Sequence, residues 1–171
     1  APQAIRSAGG VTISDIYVQL MWPCADGHIS LTVLFGPALG PFTRNLMEWV
    51  FEEGFCDEAT RDKDWLNYAE LIFSGQEPVA EYDRVKTVIG EFCATKTKAE
   101  LFEEAFVRRL LLAPVTTAED VLTNPHLAER YIWEAVYIHV RVHRSPGRLA
   151  LFSQTPPHPP PNPPTTAHPT P

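Results

Sequence analysis

Two apolar, β-branched runs, IYVQLMW (16–22) and GHISLTVLF (27–35), flank the interruption PCAD, which Gly27 closes. Such a pair predicts a β-hairpin. In the second run Ile29, Leu31 and Val33 alternate with His28, Ser30 and Thr32, the pattern of a half-buried sheet. From Phe42 the period lengthens. RNLMEWVFEEG (44–54) sets Leu46, Met47, Trp49 and Val50 along a helix with glutamates behind them, and Gly54 supplies a stop. After DEATRDKDW, the residues Trp65, Tyr68 and Ile72 recur at helical spacing. A further helix is predicted over 79–94, where Tyr82, Val85, Ile89 and Phe92 follow steps of three, four and three. Thr97-Lys98-Ala99-Glu100 reads as a capping box. The helix it opens, to about Leu110, is expected to bury Leu101, Phe102, Ala105 and Phe106.

LLLAPV (110–115) predicts a short buried strand whose proline marks an edge or an exit from pairing. Thr116 is the expected cap of the next helix, with Glu119 at its third position and Asp120 in the same first turn, where negative charge favours the helix dipole. Asn124-Pro125 stops that helix, because a residue before proline is pushed out of the α region. His126 to Arg130 restarts a brief turn. AVYIHVRVH (135–143) alternates Val136, Ile138, Val140 and Val142 with Tyr137, His139, Arg141 and His143, which predicts one long strand ended by Ser145-Pro146-Gly147. The fold class is α+β, a β-hairpin and C-terminal strands flanking a cluster of helices. Residues 1–10 read as a linker or loop ending in Gly9-Gly10, and 11–154 as the folded region. Residues 155–171, with nine prolines, read as a disordered tail.

Composition narrows the partners. A chain of 171 residues that is 44% hydrophobic can bury one real core. Its net charge of −7 argues against a phosphate-backbone partner, since only Arg108-Arg109 and 141–148 are locally basic. No run approaches the ~18 apolar residues of a membrane span, and APQAIRSAGG lacks a signal-peptide core. The first residue is alanine, as expected of a processed product or a piece of a larger chain. Cys24, Cys56 and Cys93 are far apart, form no CxxC, and fit a reduced, cytoplasmic compartment.

Candidate chemistry is sparse. His139 and His143, four apart on a strand, would stand ~13 Å from each other, too far to share an ion readily. His28 and His126 are single turn histidines, read as surface or capping residues. The acids Glu52-Glu53, Asp57-Glu58, Asp62, Asp64 and Glu103-Glu104 fall on polar helix faces or in charged loops, so solvation is their ordinary reading. There is no GxGxxG, no GxxxxGK[ST] and no GxSxG. No metal ligand set emerges. Gly9 and Gly10 are the one weak candidate for a flexible element beside a substrate, because glycine pairs let backbone approach a ligand closely; a linker is the commoner use.

The order of the pieces carries more than any one of them. KAELFEEAFVRRLLLAPVTTAEDVLTNPHLAER, a β-rich stretch, and then SPGRLALFSQTP resemble the family III CoA-transferases. That family includes formyl-CoA transferase, crotonobetainyl-CoA:carnitine CoA-transferase and an acyl-CoA racemase branch. YVQLMWPCADGHISL resembles the family's strand, ADG turn and strand, and RNLMEWVFEEG with DKDW its next helical region. The likeness runs from about Gly10 to Pro156. It departs at Tyr131, where the family usually has glycine, so that 131–144 align loosely, and in the proline-rich tail. The resemblance implies the small domain of such an enzyme, covering the active site, shaping the acyl or carboxylate pocket and contributing to homodimer contacts. Coenzyme A would be a substrate rather than a cofactor, with an acyl-CoA donor and a carboxylate acceptor. The family's catalytic aspartate lies in the large domain, and no residue of this chain matches it, so the isolated chain is expected to be inactive. Gly9 and Gly10 stand roughly where a glycine-rich loop of some members closes over substrate. The alternatives are the racemase branch and a non-catalytic, stand-alone interaction domain.

Overall fold

The computed structural model describes residues 4–13, 16–130, 133–138 and 141–147. The chain divides into two compact units, Ala1–Val115 and Thr116–Pro171.

In the first unit, β1 (Ala4–Ser7), β2 (Gly10–Ile13) and β3 (Ile16–Gln19) form an antiparallel sheet in chain order. A second sheet joins β4 (Met21–Cys24), β5 (Gly27–Leu31) and β6 (Leu112–Pro114). Between β5 and β6 come α1 (Gly40–Glu52), α2 (Glu58–Arg61), α3 (Tyr68–Phe73), α4 (Val79–Ala94) and α5 (Lys98–Arg108). The architecture is α+β, as the pattern predicts.

The strand boundaries differ from expectation. The run 16–22 is two strands in two sheets. Its backbone turns at Leu20, where the amides of Leu20 and Met21 both donate to the Gly9 carbonyl, at 2.8 and 3.0 Å. The hairpin is β4–β5, and its loop is only Ala25-Asp26, since Cys24 pairs with Gly27. Pro23 sits within β4, an edge strand, where a missing N–H is tolerated. Residues 4–7, expected in a loop, form β1 against β2. All four are exposed, so no apolar alternation announced the strand.

The helices bury the stripes that their periods predict. Leu46, Met47, Trp49 and Val50 of α1 and Tyr82, Val85, Ile89 and Phe92 of α4 join Trp22, Ile29, Leu31 and Val33 in one core. Each such side chain contributes roughly 1.5–3 kcal/mol by leaving water. Helix α1 begins earlier than its apolar run, with Pro41 in its first turn. It ends in a Schellman motif: Gly54 (φ 82°) donates to Phe51 O and Phe55 to Val50 O.

The capping box of α5 forms as predicted, with Thr97 and Glu100 bonded reciprocally. Its buried stripe is narrower than expected. Leu101 and Ala105 are buried, whereas Phe106 is 71% exposed and Phe102 lies at the surface. The two rings stand edge to face, 4.8 Å apart, on the stripe beside the core-facing one. Arg109 follows α5 in the left-handed region (φ 56°), the C-terminal position where glycine is normal. Arg109→Gly is therefore expected to stabilise the unit by roughly 1 kcal/mol, read as a higher urea midpoint; a lower midpoint would show that the arginine side chain outweighs the strain.

An ionic cluster ties the 57–65 segment to α4. Lys63 lies between Glu77 and Glu81, and Glu81 also meets Arg84 at 2.7 Å. The hydrogen bonds from Arg84, and then those from Lys63, outweigh partial burial and hold the Glu81 carboxyl down at about 2, against an ordinary 4.5. A depressed folded value means that this stabilisation is complete above about pH 4.5 and disappears as pH falls towards 2. Glu81→Gln should flatten the fall in urea midpoint between pH 5 and pH 2.5; an unchanged slope would remove Glu81 from the account.

In the second unit, α6 (Ala118–Thr123) and α7 (Pro125–Glu129) precede a hairpin of β7 (Trp133–Ile138) and β8 (Arg141–Pro146). The cap of α6 is Thr117 with Asp120, one residue beyond the Thr116–Glu119 pair expected from sequence. Both pairs fit the spacing, and aspartate reaches the cap amide as glutamate does, at 2.8 Å. Asn124 ends α6 and caps α7, its side chain accepting from Leu127 N. The predicted long strand is a hairpin, with Ile138 opposite Arg141 and Val136 opposite His143. No Gly, Pro or Asn marks a reversal there, and Val142 is 58% exposed. His139 and Val140, Tyr131, and the proline-rich tail lie outside the described residues.

Candidate functional site

Strand β3 has two different faces. Ile16 and Val18 point into a half-open cavity of about 160 Å³ lined on its other sides by Phe35 and by Ala69, Ile72 and Phe73 of α3. Tyr82 of α4 adds a ring to the wall, edge to face with Phe35 at 5.7 Å. Burial, reinforced by Asp83, pushes the Tyr82 phenol up to about 12, so it stays neutral at physiological pH. The chamber can hold apolar matter and contains no nucleophile.

Tyr17 and Gln19 belong to the other face. Gln19 lines a separate groove of about 370 Å³ with Trp22, Thr87, Gly90 and Lys86. Lys86 is not a free cation. Its ammonium is 2.7 Å from Asp83, donates to Tyr17 O at 3.0 Å, and sits 4.8 Å over the Tyr82 ring. Gln19 Nε2 donates to Met21 O at 3.0 Å.

Gly9 and Gly10, the sequence's candidates, lie at the β1–β2 hairpin. Gly9 takes the turn with φ 81°, and its carbonyl anchors Leu20 and Met21. Gly10 starts β2, buried, with the Tyr17 ring pressed on it; a Cβ there would stand 2.6 Å from that ring. The hairpin gives both glycines a conformational reason. Neither lines the cavity, although β2 also supplies Ile13 to it.

The remaining sequence candidates are dispersed. His28, His126 and His143 are exposed on β5, α7 and β8. Asp57 caps α2, Asp62 is bonded twice to Arg61, and Glu52 and Glu104 both meet Arg108. Burial raises all three thiols, Cys93 to about 12, which keeps them protonated and poor nucleophiles. Among the described residues there is no cluster of metal-ligating side chains, and no helix is long and apolar enough to cross a membrane. Sequence reasoning missed the cavity itself. The available signal was Phe73, an aromatic beside Ile72 where helical periodicity asks for a polar residue.

The model of CoA-transferase family III matches residues 3–169. Subunit BbsE of succinyl-CoA:(R)-benzylsuccinate CoA-transferase from Thauera aromatica is 29% identical over 133 residues, covering 77% of this chain. The chain spans about 29% of that relative's length. Among solved structures, Rv3272 of Mycobacterium tuberculosis is 14% identical with a TM-score of 0.45, over 80% of this chain and 34% of that one. A point mutant of the same protein gives 17% identity and a TM-score of 0.41, over 80% and 33%. From the family match, which runs over nearly the whole sequence, the chain belongs to CoA-transferase family III.

Proposed function

We propose that this chain is the part of an acyl-CoA:carboxylate CoA-transferase that covers the active site and shapes its substrate pocket. The family match over residues 3–169 carries the reading. The transferase name of the Thauera relative favours transfer over racemisation. The described residues offer binding surface and no poised nucleophile, which accords with covalent chemistry performed by a carboxylate elsewhere. In that chemistry a carboxylate attacks the acyl thioester, the C–S bond breaks, and CoA leaves as thiolate. The thiolate then attacks the enzyme's own carbonyl of the mixed anhydride and releases the acyl group as a carboxylate. Homodimer contacts and a cytoplasmic location belong to the same reading.

The test is thioester exchange between an acyl-CoA and a carboxylate, followed by chromatography. The purified 171-residue chain is expected to give none. A longer protein carrying this segment is expected to turn over, and Val18→Asp in it to lower kcat/KM. Turnover by the 171-residue chain alone, or an unchanged kcat/KM in the variant, would refute the assignment.

A further inference from the structure

We infer that the cavity beneath β3 binds a benzene-sized apolar group, an aryl ring above all, at the end of the substrate. Its volume, about 160 Å³, is the first argument. An engineered apolar cavity of about 150 Å³ in another protein stays dry and takes up benzene. The lining is the second. Every lining side chain except Tyr82 is hydrocarbon, so a carboxylate or phosphate entering here would lose its water for at most the Tyr82 hydroxyl as a side-chain partner. The walls are the third. Phe35 and Tyr82 already meet edge to face, and a third ring can extend that packing in the arrangement aromatic side chains prefer. Phe73, 59% exposed and also part of the lining, gives the cavity an apolar rim. The polar length of a thioester substrate must lie outside. The inference rests on the transferase reading only for the identity of the molecule that carries the ring.

Toluene is the probe, titrated into the full 171-residue chain and followed by amide chemical shifts and thermal midpoint, with succinate as the polar control. Toluene should raise the midpoint and move the amides of Val18, Ala69 and Ile72, and succinate should do neither. Ala69→Leu fills the chamber from a helix that accepts leucine readily, and should weaken toluene by roughly tenfold or more. Ile16→Phe fills it from the strand and serves if the first variant does not fold. Absence of a toluene response, a response confined to the Lys86 groove, or equal affinity in a folded, filled variant would overturn the inference. The titration contains neither CoA nor turnover. Toluene binding by this chain with no turnover by the longer protein would therefore spare the cavity and sink only the transferase reading, and turnover by the longer protein without toluene binding would do the reverse.

Discussion

Trp65→Ala is expected to cost the first unit about 3–5 kcal/mol, the usual range for removing a fully enclosed tryptophan. Trp65 is completely buried although it lies in the turn before α3 rather than in a helix. Its ring stacks with Phe35 at 6.3 Å and meets Tyr68 at 4.9 Å, and its Nε1 donates to the last carbonyl of α2, Arg61 O, at 2.8 Å. Truncation would empty the place where α2, α3 and the Phe35 wall of the cavity converge. Trp65→Phe separates the contributions, because it keeps an aromatic ring and loses the donor, for about 1 kcal/mol from the hydrogen bond and more from the smaller volume. Urea unfolding followed at 222 nm, with amide exchange to isolate the first unit, provides the measurement. A loss below about 1.5 kcal/mol for the alanine variant would mean that the turn is not the packed junction described.

Gly10→Ala should be the most damaging of the small substitutions, at about 2–3 kcal/mol. The added methyl would fall within contact distance of the Val18 carbonyl and 2.6 Å from the Tyr17 ring, and backbone cannot move aside as a side-chain tip can. The pairing of β2 with β3 must give way, and with it the strand that floors the cavity. Gly9→Ala provides the contrast. Its new methyl would meet Tyr17 Oη at an ordinary 3.4 Å, so only the left-handed backbone objects, for roughly 1 kcal/mol. Hydrogen exchange at the β3 amides discriminates. Acceleration in the Gly10 variant and little change in the Gly9 variant are expected. Unchanged exchange in both would release the pair from its hairpin duty and return it to consideration as a substrate loop.

The same two glycines show where sequence reading stops. Their presence was obvious, but a linker glycine and a packed glycine look identical until the partner strand is known. Tyr17 is the partner, seven residues on, and only the fold presses it on Gly10. Phe102 and Phe106 teach the converse. Helical spacing placed them on an apolar stripe, yet a helix at the edge of a core buries only the part of that stripe it faces.

By itself the sequence determined the local and periodic features. The α4 stripe, the Thr97 capping box, the Gly54 stop and the Asn124-Pro125 break all follow from residues within one or two turns of each other. It also determined the family, through the order of its short motifs. Tertiary structure alone decided that 16–22 serves two sheets, that 4–7 is a strand, and that 135–143 folds back on itself. These pairings are local, Ser7 opposite Gly10 and Ile138 opposite Arg141, but an exposed strand leaves little periodic trace in its own sequence. The cavity is non-local. Strands β2 and β3, the Phe35 segment, α3 and α4 each contribute one to three apolar residues, unremarkable alone, that line one pocket only when the chain brings them together.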